Sequence, residues 1–192
     1  MTISAIVLAG GRGSRLGKEK HTVVIEGIKL IERVIAQASL LSNEIWIVFS
    51  QKRAKASASL YTYPGAKTVV DLYPGKGSLG GVYTGLVYST NFINLVVACD
   101  MPFLNKDLLA YMVELSPGYD IVIPRIDHLM EPLHAIYSRN CLGPIENMLK
   151  ENNLRSTDLL NSVKVRYVGK EEIDKFDPEH LSFFNINTQA DL

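Results

Sequence analysis

Short runs of β-branched and aliphatic residues recur along the chain, at Ile3–Leu8, Glu44–Ser50, Lys67–Val70, Asn94–Ala98 and Asp120–Ile123, and each is followed by a segment of helical period. That alternation predicts an α/β protein. The run "INLVVA", Ile93 to Ala98, is apolar on both faces after Asn94, as a central parallel strand covered by helices should be. Leu30, Ile31, Val34, Ile35, Ala38 and Leu41 mark one face of an amphipathic helix. Further helices are predicted over Lys106–Leu115, with Asn105 as N-cap, and over about Gly80–Ser89. After Pro124 the rhythm changes: "EPLHAIYS" (131–138) and "VKVRYV" (163–168) read as strands, and "GPIENMLKE" (143–151) as a helix opened by Pro144. Lys170 to Glu179 is charged and contains a proline, so it reads as a surface connection. The tail "FFNINTQADL" turns on two asparagines and enters a helix capped by Thr188.

Composition narrows the functions available. The 192 residues carry 20 basic and 20 acidic side chains, so no global field draws the chain to nucleic acid or to an anionic membrane. Any anion site must be local. The two cysteines, Cys99 and Cys141, have neither C-x-x-C nor metal-ligand spacing, which fits a reducing compartment. No run of about 18 apolar residues and no basic-then-apolar leader pattern occurs, so a soluble, cytoplasmic protein is expected. No repeat or linker divides the chain, and one domain over 1–192 is expected, with a nucleotide-binding half (1–105) and an acceptor-binding half (106–192).

The chemistry should gather at the carboxyl ends of the strands, where open α/β sheets bind ligands. After the first strand comes "LAGGRGSRLGKEK", Leu8 to Lys20. It fails the dinucleotide fingerprint because Leu16 stands where the third glycine is due. It fails the Walker pattern because Arg12 replaces a glycine and Glu19 the magnesium-binding hydroxyl. Gly10, Gly11 and Gly13 nevertheless free backbone N–H groups to approach an anion, and Arg12, Arg15, Lys18 and Lys20 can neutralise it. Asp71 closes "KTVVD" before a second glycine-rich run, "LYPGKGSLGG", where Gly80 is expected to start a helix. Asp71 either accepts hydrogen bonds from a base or ribose, or caps a turn. "VVACDMPFL" ends an apolar strand in one carboxylate, Asp100; a single hard oxygen ligand, completed by water and substrate phosphates, is how Mg²⁺ is commonly held. His134, inside a predicted strand, reads as a packed, hydrogen-bonded residue, and Cys99 as core.

"LAGGRGSRLGKEK" resembles the L-A-G-G-x-x-x-R-[ML]-G-x-[DE]-K motif of nucleotidyltransferases. Together with "PGKGSLGGVYTGL", "ACDMPFL", "EPLHAIYS" and "FFNINTQADL", it makes the chain similar to the molybdenum cofactor guanylyltransferases, the MobA family. The resemblance runs from Ile6 to Leu192. It implies a Rossmann-like three-layer α/β/α fold of the nucleotide-diphospho-sugar transferase type, with a mostly parallel central sheet and a mixed C-terminal extension. It implies GTP and Mo-molybdopterin as substrates and Mg²⁺ as metal. By the same resemblance, the backbone of Leu8, Ala9, Gly10 and Gly11 holds the nucleotide, Lys20 contacts its phosphates, and Asp71 is the acidic nucleotide contact. Asp100 is the metal ligand, and Asn185 and Asn187 lie near the pterin acceptor. Where the family often has an asparagine after the second strand, this chain offers Ser50 or Gln51.

The expected reaction is attack of an acceptor phosphate on the α-phosphorus of GTP with loss of pyrophosphate. It needs no general base, because the acceptor is already an anion. It needs charge stabilisation, from Asp100-bound Mg²⁺ and from Arg15, Lys18 and Lys20. Arg15, Lys20 and Asp100 are therefore the candidate catalytic residues. A molybdopterin cytidylyltransferase, a cobinamide-phosphate or sugar-1-phosphate nucleotidyltransferase, and a non-catalytic cofactor-delivery protein are the alternatives; "CDMP" and "EPLHAIYS" favour the molybdopterin guanylyl branch. Molybdenum insertion proteins and recipient molybdoenzymes are the implied partners of a chain expected to be a monomer or weak homo-oligomer.

Overall fold

The computed structural model describes residues 1–9, 22–50 and 63–191. Strand β1 (Ser4–Leu8) is buried at every position. A small hairpin, β2 (Val24–Ile25) and β3 (Ile28–Lys29), turns on Glu26 and Gly27, both at positive φ, 52° and 81°. Two left-handed residues in succession match the twist of a two-residue hairpin. The chain continues through α1 (Leu30–Ser39), β4 (Glu44–Phe49), β5 (Ala66–Val70), α2 (Gly77–Tyr88), β6 (Ile93–Ala98) and α3 (Lys106–Glu114). It then runs through β7 (Ile121–Ile126), β8 (Leu129–Met130), β9 (His134–Ser138), α4 (Leu142–Lys150), β10 (Val165–Gly169) and α5 (Lys170–Ile173).

The main sheet has the order β10-β7-β9-β6-β1-β4-β5, with β8 paired to the end of β7. Along that path β9 alone runs against its neighbours, inserted antiparallel between β6 and β7; the other pairs are parallel. Alternate residues of β1 serve opposite cores, as the two-residue period of a strand requires. Ala5 and Val7 pack with Val34 and Ala38 of α1 and Leu108 and Met112 of α3. Ile6 and Leu8 pack with Val82 and Leu86 of α2 and Ile145 and Leu149 of α4. Three layers result, the mostly parallel α/β/α arrangement expected from the alternation of elements. Among the described residues, no helix is long and apolar enough to cross a membrane.

Two local expectations are corrected. Helix α2 begins at Gly77, ahead of Gly80, so Gly80, Gly81 and Gly85 sit inside it. Their role is close packing: a Cβ on Gly85 would lie 2.3 Å from Ile6 Cγ2, and one on Gly80 2.9 Å from the Tyr73 carbonyl oxygen. The segment after β10 is not merely a surface connection either, because Ile173 and Asp177 are buried in it. "EPLHAIYS" becomes a strand only from His134, which leaves Glu131 and Pro132 in the preceding connection. At the tail, Thr188 precedes a single 3₁₀ turn, Gln189–Asp191, and the Asp191 carboxylate accepts the Asn187 and Thr188 amides.

Candidate active site

β1 lies where the strand order reverses: later strands step outward to β4 and β5 on one side, then return to β6 on the other. A crevice at the carboxyl ends of such strands is the expected ligand position. Main-chain hydrogen bonds fix its floor. Ala9 donates to the Val48 carbonyl (2.9 Å), Cys99 to the Leu8 carbonyl (3.1 Å) and Asp71 to the Phe49 carbonyl (2.8 Å). Leu8, Ala9 and Cys99 are buried, and Cys99 is core as expected. Ser50 follows β4 at the same edge. Gly10, Gly11, Arg15, Lys20 and Gln51 lie outside the described residues.

Asp71 follows β5, three strand spacings from β6, or about 14 Å. Its Oδ1 accepts the Tyr73 amide (2.9 Å) and lies 3.1 Å from the Thr84 hydroxyl. One oxygen is thus committed to the turn that leads into α2, and burial raises the carboxyl's pKa against these two hydrogen bonds. Of the two readings open from sequence, the turn cap is present in the fold; Oδ2 makes no hydrogen bond to described residues. Gly80 is what lets α2 come this close, since a Cβ there would stand 3.2 Å from Asp71 Oδ1.

Asp100 lies just beyond β6, half-buried, and its carbonyl accepts the Ile186 amide at 2.9 Å. The Ile186 side chain, fully buried, packs with Val23 and Leu30 beside the hairpin. Asn185 and Asn187 are thereby brought to Asp100. Their side-chain amides donate back to the Phe183 and Asn185 carbonyls, respectively, which holds both against their own segment.

A buried latch supports this tail. The Asp177 carboxylate accepts the Leu181 and Ser182 amides (3.1 and 2.8 Å), and the Ser182 hydroxyl accepts the Asn105 amide (3.0 Å). Asn105 returns a side-chain hydrogen bond to the Phe176 carbonyl (2.8 Å) while its Oδ1 caps α3. The expected cap is therefore also a clamp on the tail.

Glu131 was not singled out by the sequence. Its carboxyl is pushed above the usual range first by burial and then by the charge of Asp100, so the two acids face one electrostatic neighbourhood. Carboxylate oxygens are the ligand type that a hard divalent cation such as Mg²⁺ takes. Among the described residues no group of three or more His, Cys, Asp or Glu forms a metal cage, so a cation here would draw its remaining ligands from water and phosphate. The clue available in the sequence was the proline after Glu131, which precedes the strand and leaves the acid in the connection that leads into it.

His134 begins β9 opposite Val97 and is fully buried. It is packed as expected, its ring 4.7 Å from that of Phe183, but neither ring nitrogen has a hydrogen-bond partner among the described residues; the Ser182 backbone lies nearby without reaching bonding geometry. Burial lowers its pKa from 6.5 to about 4, against the opposing charge of Asp177. It is unsuited to proton transfer with a ligand. A cavity of about 650 Å³ opens elsewhere, between α1 and the amino ends of β4 and β5, where Ile35, Ser42 and Tyr63 line it. It is remote from these strand ends.

The sheet order, with one antiparallel strand beside β6, defines the nucleotide-diphospho-sugar transferase fold, a class of nucleotidyltransferases. A model of the MobA-like NTP transferase domain matches residues 5–164, and the chain belongs to that family. A protein of Pelotomaculum thermopropionicum named "Probable molybdenum cofactor guanylyltransferase" is 34% identical over 189 residues, covering 98% of this chain and 89% of the relative. The crystal structure of molybdopterin-guanine dinucleotide biosynthesis protein A from Archaeoglobus fulgidus superposes with a TM-score of 0.82 at 34% identity, covering 98% of this chain and 94% of that one. The fold alone recurs, at 17% identity and a TM-score of 0.70, in 4-diphosphocytidyl-2C-methyl-D-erythritol synthase from Anaerococcus prevotii, with 99% of this chain and 92% of that one covered.

Proposed function

We propose that the protein transfers GMP from GTP to the terminal phosphate of molybdopterin-bound molybdenum, giving the guanine dinucleotide form of the cofactor and pyrophosphate. The observation that supports this reading is the hydrogen bond from the Ile186 amide to the Asp100 carbonyl, which joins the tail segment carrying Asn185 and Asn187 to the chain just beyond β6. Family membership supplies the reaction class.

In this reading the nucleotide lies across the ends of β5, β4 and β1, with Asp71 at the nucleoside end. The acceptor enters from the side of Asn185 and Asn187. An acceptor phosphate oxygen forms a bond to the α-phosphorus while the bond to the β-phosphate bridging oxygen breaks, and the electron pair departs with pyrophosphate. The attacking oxygen carries no proton to be removed, so the buried, neutral His134 is not called upon. Asp100, with Glu131 nearby, would hold Mg²⁺, which would supply compensation for charge on the phosphates. Arg15, Lys18 and Lys20 stabilise the charge developing on the leaving group.

The test is pyrophosphate release from GTP in the presence of molybdopterin-bound molybdenum. Chelating the metal should stop release and Mg²⁺ should restore it. Asp100→Asn should abolish turnover with an unchanged melting curve; an active, Mg²⁺-dependent Asp100→Asn protein would overturn the mechanism.

A further inference from the structure

Beside the crevice, two exposed aromatic rings lie close together. Phe103 is the one exposed residue in the otherwise buried run Met101 to Leu104. Phe184 faces outward at the tail, while the adjacent Phe183 turns inward onto His134. The two outward rings remain 41% and 42% exposed, with centroids 6.3 Å apart and planes tilted by 47°. Isolated exposed apolar residues are ordinary, but these form a pair, contributed by two chain segments that the Ile186–Asp100 hydrogen bond joins.

We infer that Phe103 and Phe184 form the platform on which the fused heteroaromatic ring of the acceptor rests, making them specificity-determining residues for the acceptor. The inference builds on the proposed guanylyl transfer. Phe103 is three residues from Asp100, and three residues of chain span at most about 11 Å. Phe184 directly precedes Asn185. An acceptor with its phosphate at Asp100 therefore has the pair within reach of its ring end. Aromatic side chains offer a flat ring contact area with little conformational freedom to lose, and ring stacking tolerates an irregular outline where hydrogen bonding does not. The nucleotide is placed elsewhere, toward β5, so the platform discriminates between the two substrates.

The experiment measures steady-state turnover of Phe103→Ala, Phe184→Ala and the double variant. Molybdopterin-bound molybdenum is varied at saturating GTP, and GTP binding is measured separately by calorimetry. By analogy with base stacking, the acceptor KM should rise about tenfold or more in the double variant while GTP affinity and melting temperature stay put. Phe103→Tyr and Phe184→Tyr should retain wild-type acceptor KM, whereas the leucine variants should not. A double alanine variant with unchanged acceptor KM, or one that loses GTP and acceptor affinity equally, would overturn the platform. Wild-type protein serves as the separate control: if it releases no pyrophosphate with this acceptor, the proposed function itself fails, whatever the aromatic variants do.

Discussion

His134 illustrates how one side chain can link the site to stability. Its pKa is about 4 in the folded protein against 6.5 ordinarily, so above pH 6.5 both folded and unfolded chains carry it neutral. As pH falls from 6.5 toward 4, the unfolded chain takes up a proton that the folded one refuses, and stability falls with it. The slope approaches 1.4 kcal/mol per pH unit, for a total of at most about 3.5 kcal/mol. Urea melts at pH 7 and pH 4.5 should show this loss, and His134→Leu should flatten the part due to the imidazole. A variant as acid-sensitive as wild type would assign the effect to other groups. The sequence disclosed that this histidine is packed, because an apolar strand surrounds it; its lack of partners depends on how the tail folds over it. Glu131 was hidden for the same reason. Its nearness to Asp100 arises from strands 36 residues apart pairing through β9 and β6, which local periodicity does not report.

At the scale of elements, the glycines of α2 show the opposite problem, a clear signal with two meanings. Glycine clusters after a strand suit anion binding, yet Gly81 and Gly85 are four residues apart and so share one helix face, which lies against Leu8 and Ile6. Alanine at 85 would gain helix propensity of about 1 kcal/mol. It would also drive a methyl into Ile6 from a contact of 2.3 Å, and overpacking costs about 1–3 kcal/mol, more where the neighbour is fully buried. The clash should prevail, so Gly85→Ala should lower the melting temperature by several degrees; an equal or higher value would show that α2 can move off the sheet freely. The long apolar strands, by contrast, were legible from their composition, and β1, β4, β5 and β6 lie where the pattern put them to within about a residue.

Across the whole molecule, the proposed function assigns the two substrates to distant parts of the chain. In the proposed reading the nucleotide lies over β1, β4 and β5 and the acceptor against the tail, which Asp177, Ser182 and Asn105 hold in place. Asp177→Asn keeps an acceptor oxygen for one backbone amide and weakens the hold on the other. It should therefore raise the acceptor KM and leave GTP binding intact in a calorimetric titration; equal loss of both would show that the latch supports the entire crevice. A charged, proline-bearing segment such as Lys170–Glu179 conceals this role, because nothing local distinguishes a carboxylate that binds buried amides from one that faces water. The insertion of β9 between β6 and β7 has a consequence for how the molecule assembles. Until residues 134–138 enter that slot, the six residues of β6, five of them apolar, present an open edge to other chains, the condition under which sheets associate between molecules. Closing the slot joins residues 37 to 45 apart in sequence, so the strand that brings Glu131 toward Asp100 also ends the interval in which the nascent sheet can aggregate.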